Sequence, residues 1–143
     1  MVLFTDRDLG TSILPDILRD AGFEIERHVD HFAPDAPDRE WIPAVGARGW
    51  YVLTHDQRIR YVRAERDAVR RANVGMFVMV GKGSHRELAL NVVNTAAAIS
   101  AFTREHTPPF IARIYRPSPV SAVYLGKPGR VEMWLDRTSW PDR

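Results

Sequence analysis

Continuous apolar runs recur along the chain and are separated by segments of helical periodicity. Residues 2–5, 50–53 and 76–80 are mostly apolar and rich in β-formers, which predicts buried strands. The runs at 50–53 and 76–80 favour central strands that are covered on both faces. Residues 23–28 alternate apolar and polar side chains, so we expect a strand with one partly exposed face near an edge of the sheet.

Apolar residues at helical spacing fill the intervals between these strands. The helices predicted from this spacing cover residues 13–21, 38–46, 57–72 and 84–106. Gly22 directly follows the first of them, at a position where many helices end. Strands that alternate with helices predict an α/β fold: a three-layer sandwich with a central, mostly parallel sheet of four to five strands and helices on both faces.

The pattern changes after a Pro-Pro pair near residue 108. Residues 110–115 have the pattern of an additional strand. Residues 120–125 and 131–135 are further strand-like runs on either side of the turn sequence Gly-Lys-Pro-Gly, which predicts a hairpin.

The length of 143 residues suits one domain with a substantial core. We find no internal repeat, low-complexity stretch or linker. We therefore expect a single domain over residues 1–143, with a core at about 2–115 and a C-terminal hairpin extension at 116–143.

Composition excludes several kinds of site. The chain contains no cysteine, so disulfides, thiolate nucleophiles and Cys-ligated zinc are all ruled out. No apolar run approaches the ~20 residues of a membrane span, and no signal peptide is evident, which predicts a soluble cytoplasmic protein without membrane contact. Lys82 and Lys127 are the two lysines among 20 basic residues. Arginine suits phosphate binding, but a GC-rich genome also favours arginine, so basicity alone does not decide the function.

Three aspartates are candidates for a metal site. Asp6 and Asp56 each follow one of the most hydrophobic strands, and Asp38 begins a short helix, where it could serve as the N-cap. In an open parallel sheet, ligands bind beyond the carboxyl ends of the strands. Gathered carboxylates without cysteine favour Mg²⁺ or Mn²⁺ over zinc. The alternative for each aspartate is an ordinary helix cap or turn residue.

Other polar residues carry weaker signals. Asp8, Asp30 and Glu40 have the pattern of solvated loop or helix residues, although any of them could complete a metal shell from the rim. Arg58 and Arg60 lie close enough in sequence to Asp56 to engage a substrate phosphate. The histidines do not have the spacing of a zinc site. The apolar stripe within residues 84–106 is a core face or, alternatively, a surface for a homodimer or partner.

The order of these motifs resembles the PIN-like domains, in particular the VapC-type toxin nucleases. The resemblance rests on the Phe-Thr-Asp-Arg-Asp-Leu-Gly opening at residues 4–10, the joint at 18–24, the Asp-His-Phe loop at 30–32, the segments 38–42 and 50–56, and Pro-Pro-Phe-Ile-Ala at 108–112. Together these segments span roughly residues 2–115.

The resemblance implies a metal-dependent endoribonuclease. Clustered carboxylates would bind Mg²⁺ or Mn²⁺ and activate water for attack on an RNA phosphodiester. By motif position, Asp6, Asp38 and Asp56 would be the catalytic and metal-binding acids. A toxin nuclease would also have a small antitoxin protein as its partner.

One position departs from the family pattern. Many PIN-like relatives carry a further acid two residues beyond the Thr-x-Asp aspartate, and Arg58 occupies that place here. A catalytically inactive PIN-like module that binds metal or a partner therefore remains an alternative. Because Asp6-x-Asp8 is also similar to the motif of haloacid-dehalogenase-like phosphatases, that class is a further alternative.

Overall fold

A six-stranded sheet forms the centre of the protein in our computed structural model, which describes residues 1–60 and 62–140 without the side chain of residue 60. The strands of this part of the chain are β1 (Val2–Thr5), β2 (Glu24–Arg27), β3 (Tyr51–Thr54), β4 (Gly75–Met79), β5 (Phe110–Tyr115) and β6 (Arg130–Leu135). Their order across the sheet is β2-β1-β3-β4-β5-β6. All neighbours are parallel except β5 and β6, so the mostly parallel sheet is confirmed, with one strand more than the four to five expected.

Helices cover both faces of the sheet. They are α1 (Ile13–Asp20), α2 (Asp38–Ala47), α3 (Arg63–Arg71), α4 (His85–Asn94) and α5 (Ala96–Glu105). Helices α1, α4 and α5 pack on the side chains of one sheet face, whereas α2 and α3 pack on the other. None of the helices within the described residues is long and apolar enough to cross a membrane.

The two cores follow from side-chain alternation within each strand. On β1, Leu3 faces the core of α1, α4 and α5, whereas Phe4 faces the core of α2 and α3. On β3, Leu53 faces the core of α1, α4 and α5, and Val52 faces the core of α2 and α3. These four side chains are buried, which explains why the runs of a central strand are apolar without interruption. The expected edge position of β2 is also correct.

The single long helix expected at residues 84–106 is wrong, because the chain breaks at Thr95 into α4 and α5. The Thr95 hydroxyl donates to the Asn91 carbonyl oxygen at 2.6 Å and accepts from the Gly129 amide at 3.0 Å. The hydroxyl thus links the end of α4 to the segment that leads into β6. A contact with such a distant part of the chain leaves no trace in helical periodicity.

Two other predicted elements also differ. The helix expected at 57–72 consists of a 3₁₀ turn at Gln57–Arg60 and α3, with residue 61 outside the described part. The strand expected at 120–125 is a 3₁₀ helix, Val120–Leu125, in which the adjacent residues Ala122 and Val123 are the buried ones. The expected hairpin is therefore wrong, and β6 pairs with β5 instead.

Candidate functional site

Asp6 lies directly beyond β1, where its carboxylate begins a 3₁₀ turn, Arg7–Leu9. One carboxylate oxygen accepts from the Arg7 amide at 2.7 Å, and the other accepts from the Thr54 hydroxyl at 3.0 Å. The Asp6 amide donates to the carbonyl of Leu53 at 3.1 Å. Asp6 is therefore held against the end of β3, the neighbouring parallel strand. Because β2 flanks β1 on the opposite side, this is a position where chain connections diverge and leave a crevice.

Asp56 follows β3 on the same edge of the sheet. Its amide donates to the buried Thr54 hydroxyl oxygen at 3.1 Å, so Thr54 contacts both Asp6 and Asp56. The Asp56 carboxylate accepts from Nε and an Nη of Arg58 at 2.9 and 2.8 Å. These bonds to Arg58 hold the pKa of Asp56 below its ordinary value. Asp56 therefore already has a cationic partner.

Asp38 is the first residue of α2, and Pro37 occupies the N-cap position, so the expected N-cap role of Asp38 is wrong. The Asp38 carboxylate accepts from the indole Nε1 of buried Trp41 at 2.9 Å. Glu65 of α3 lines the same cavity as Asp38, and burial together with the interaction between the two acids raises the pKa of Glu65. Helices α2 and α3 thus bring two acids together opposite Asp6.

Asp8 and Glu65 change the predicted set of acids. Asp8, expected at the rim, contacts the end of β3, where its carboxylate accepts from the His55 amide at 3.2 Å. Glu65 was missed because it lies among arginines in a charged helix, whose simplest interpretation is a solvated face. Glu65 lies in the middle of the helix predicted at residues 57–72 and falls in a first turn only in the structure, where α3 begins at Arg63, so the sequence offered no signal for it.

Asp30 and Glu40 lie apart from this cluster. Asp30 is exposed and accepts two bonds from the Arg27 guanidinium, at 2.9 and 2.8 Å. Glu40 is exposed on α2 and does not line the cavity described below. Neither residue is among the described side chains that line the cavity.

The acids surround a cavity of about 230 Å³. The described side chains that line it include five carboxylates and two arginines: Asp6, Asp8, Asp38, Asp56, Glu65, Arg7 and Arg58. This placement is the one expected for Asp6, Asp38 and Asp56. Three candidate acids from separate parts of the chain therefore meet at the carboxyl edge of the sheet.

Burial and mutual repulsion raise the pKa values of Asp6, Asp8 and Glu65. Burial, followed by the charge of Asp8, raises the pKa of Asp6 to about 6. Burial, followed by the hydrogen bond with Asp38, raises the pKa of Glu65 to about 7. Desolvation also raises the pKa of Asp8, although part of its side chain faces solvent. A cation placed among these groups would relieve the repulsion that contributes to these shifts.

The two arginines of the cavity differ in what they can contact. The Arg7 guanidinium donates to the carbonyl oxygens of Pro34 and Ala36 at 2.9 and 2.8 Å, so it fixes the loop before α2. Arg58 forms a salt bridge with Asp56, yet 81% of the Arg58 side chain is exposed and can be reached by a substrate. The side chain of Arg60, the other predicted phosphate ligand, lies outside the described residues.

The donor chemistry of the cavity fits a hard divalent ion, because its acidic side chains offer carboxylate oxygens. Suitable ligand atoms are present, but they do not form a preassembled metal site. Within residues 1–60 and 62–140, no group of three or more His, Asp or Glu side chains is arranged to hold a metal ion. The Arg58 guanidinium donates to both oxygens of the Asp56 carboxylate, so a metal ion would compete with this arginine for Asp56.

Comparisons with known proteins give two matches. Residues 1–81 match the family described as PIN like domain. A Mycobacterium tuberculosis protein named "Putative ribonuclease VapC45" is 30% identical over 118 residues, covering 79% of this chain and 85% of the relative. No solved structure matches the chain.

Proposed function

The chain belongs to the PIN-like domain family, VapC-type branch, and on that basis we propose that it is a metal-dependent endoribonuclease, the toxin of a toxin-antitoxin pair. The resemblance predicted from the motifs is thereby confirmed. The observation that carries the proposal is the meeting of Asp6, Asp38 and Asp56 in one cavity at the carboxyl edge of the sheet. The ribonuclease name of the mycobacterial relative supports the reaction class.

We assign metal binding to the carboxylates of this cavity. Asp6, Asp38 and Asp56 would hold Mg²⁺ or Mn²⁺, with Asp8 and Glu65 as the additional acids that the structure brings into reach. When bound, such an ion lowers the pKa of a water molecule and offsets the negative charge of the phosphodiester. Asp56 can become a metal ligand when one of the hydrogen bonds from Arg58 to its carboxylate breaks.

The chain's own side chains position the reactants. Thr54 fixes Asp6 and Asp56 relative to each other, and Trp41 fixes the orientation of Asp38. Asp38, directly or through a water, orients the attacking water molecule. The water oxygen forms the new bond to phosphorus and the water loses a proton to solvent. The bond between phosphorus and the ribose oxygen breaks, and that oxygen takes up a proton from solvent. Arg58 has guanidinium N–H groups not engaged by Asp56 and can donate them to a non-bridging phosphate oxygen.

A toxin requires an inhibitor, so the proposal includes a small antitoxin protein that covers the acidic cavity. The relative's VapC name supports this partner. A homodimer is compatible with the proposal. We place the reaction in the cytoplasm, where its RNA substrate is found.

Arg58 supports the second candidate function, an inactive PIN-like module that binds metal or a partner. The arginine neutralises Asp56 and occupies its oxygens, as a site that has lost catalysis would allow. The third candidate, a haloacid-dehalogenase-like phosphatase, is not supported, because residues 1–81 match the PIN-like family.

Cleavage by purified variants tests the first proposal against the second. The wild type should cleave single-stranded RNA with Mg²⁺ or Mn²⁺ and not with EDTA, and Asp6→Asn should lose at least about 100-fold in rate while unfolding cooperatively. Asp30→Asn, which removes an acid outside the cavity, is the matched control and should cleave normally. Cleavage by Asp6→Asn at the wild-type rate would refute the assignment. If Mn²⁺ binds but the wild type cleaves no RNA with any divalent ion, the inactive module is the correct function.

A further inference from the structure

Charge is distributed unevenly along the carboxyl edge of the sheet. The acids of the cavity lie beyond β1 and β3, or on the helices above them. Beyond β4 and β5 the chain continues into Lys82 and Arg116, and Arg130 begins the antiparallel strand β6 at the same edge. Neighbouring strands are spaced by ~4.8 Å, so β4 and β5 lie roughly 5 and 10 Å from β3. Basic side chains therefore follow the acidic cavity along one direction of this edge.

The loop between β4 and α4, residues 80–84, is held from both sides. On the acidic side, His55 donates a ring N–H to the carbonyl of Gly81. On the other side, Arg116 donates to the carbonyl of Lys82 and to Glu87. Gly81 adopts a φ of 97°, and a Cβ there would collide with the Arg116 guanidinium. These contacts hold the backbone of Lys82 in place, one strand away from the cavity.

Lys82 and Arg86 differ from the other cations of this edge. Arg116 is paired with Glu87, and Arg130 with Glu132 at 2.9 Å. Lys82 and Arg86 are both exposed, and neither has an ion-pair partner among the residues that the structure describes. Two uncompensated cations next to an acidic cavity match the charge of an RNA backbone whose scissile phosphate lies among the acids.

Tyr115 provides an aromatic surface farther along the same edge. It ends β5 and pairs in register with Arg130, whose guanidinium lies over the ring, 4.2 Å from its centroid. Arg113 donates to the Tyr115 hydroxyl at 3.2 Å, which fixes the ring from the other end. A fixed tyrosine with a stacked arginine is a surface on which an unpaired base can stack.

We propose that single-stranded RNA runs along this edge from the acidic cavity toward β6. Lys82 and Arg86 bind backbone phosphates on one flank of the scissile bond, and a base stacks on the Tyr115 and Arg130 pair. This inference rests on the proposed function for its substrate class. It goes further by naming the flank that is bound and by requiring unpaired bases.

RNA binding without cleavage provides the test. In the Asp6→Asn background and without divalent ions, a labelled single-stranded RNA should bind the Lys82→Ala/Arg86→Ala variant about tenfold or more weakly at low salt. The dependence of log K on log salt should flatten by about 1.4, because each phosphate contact on a single strand contributes about 0.7. The control is Arg71→Ala/Arg104→Ala, which removes equal charge. Both control residues lie in the last turns of α3 and α5, whose C-terminal ends are at the opposite edge of the sheet.

A second pair of variants tests stacking. Tyr115→Leu removes the ring and should weaken binding at least about fivefold, whereas Tyr115→Phe keeps the ring and should bind as before. Thermal unfolding identifies any variant that fails to fold, and the lysine and arginine variants then carry the test alone. Duplex RNA should bind more weakly than the single strand.

The outcomes separate this inference from the proposed function. Equal binding by Lys82→Ala/Arg86→Ala and its control, or duplex binding as tight as single-strand binding, would overturn the RNA path even if the wild type cleaves RNA. If the expected binding losses occur but the wild type cleaves nothing, the path is correct and the nuclease assignment is wrong.

Discussion

Replacing Asp6 with asparagine should stabilise the metal-free protein at neutral pH, although it removes the proposed catalytic acid. Burial and the charge of Asp8 raise the pKa of Asp6 from 3.8 to about 6. Above pH 6 the folded protein must therefore hold an ionised carboxylate that the unfolded chain solvates more easily. Asparagine keeps the local hydrogen bonds, because its oxygen can accept from the Arg7 amide and its nitrogen can donate to the Thr54 hydroxyl.

The size of the effect follows from the shift in pKa. The difference between 3.8 and about 6 is equivalent to about 3 kcal/mol at 1.36 kcal/mol per unit. This figure is an upper bound, because Asp6 borders an open cavity where water screens its charge. We expect a gain of about 1–2 kcal/mol in the free energy of unfolding at pH 7.5, or roughly 3–8 °C in Tm.

The pH dependence has a definite sign. The Asp6 carboxyl loses its proton near pH 4 in the unfolded chain and near pH 6 in the folded one. Between these values the unfolded state binds fewer protons, so the wild type loses stability as the pH rises, and Asp6→Asn is spared this loss. The advantage of the variant should be absent below about pH 4 and complete above about pH 6.

Thermal unfolding in EDTA from pH 4 to pH 8 measures this difference. Asp30→Asn is the control, because Asp30 is exposed and paired with Arg27, so its loss should bring no gain at neutral pH. An Asp6→Asn variant no more stable than the wild type at pH 7.5, or equally stabilised at pH 4, would refute the reasoning. Added Mn²⁺ should stabilise the wild type more than the variant, because a ligand stabilises the state that binds it.

Three further substitutions have defined outcomes. Arg58→Ala should leave the thermal midpoint nearly unchanged, since water screens the ion pair of an arginine that is 81% exposed. The substitution should tighten Mn²⁺ binding in calorimetry by freeing the Asp56 carboxylate, and weaker binding would contradict the role of Arg58 as a competing cation. Trp41→Phe removes the indole N–H that donates to Asp38 and leaves a cavity at a fully buried position, so urea unfolding should show a loss of at least about 1 kcal/mol. An unchanged midpoint would contradict this. Gly75→Ala places a Cβ 2.5 Å from the Tyr51 ring and 2.8 Å from Phe110, so it should destabilise by about 1–3 kcal/mol, whereas a neutral result would show that these rings can shift.

The strands of the parallel sheet could be predicted because burial on both faces removes polar residues from them. Val52, Leu53 and Phe77 are fully buried and belong to runs without polar interruption. The elements that were wrong depend on distant contacts. Thr95 ends α4 through a bond from Gly129, and the 3₁₀ helix at Val120–Leu125 is held by Asn94, whose side chain donates to Val123 at 2.8 Å. Neither partner is visible in a local window of sequence.

The site was predictable to the extent that topology alone positions it. Asp6 and Asp56 follow adjacent central strands, so their placement at one edge required only the strand order. The sequence could not show which of Asp8, Asp30 and Glu40 joins the acidic cavity, because this depends on where each side chain points in the folded protein. Glu65 reaches the cavity only because α3 packs against α2, a tertiary contact that its arginine-rich sequence does not indicate.

The bond between Thr54 and Asp6 joins residues 48 positions apart, which has a consequence for synthesis of the protein. A growing chain that ends before residue 54 has β1 but lacks the strand that aligns Asp6, and Glu65 is added later still. An amino-terminal fragment therefore contains some of the acids without the cavity. Under the proposed function, a ribosome that makes this protein would not meet the assembled site before Glu65 has been added, and a co-synthesised antitoxin would find its binding site only on a chain that has passed this point.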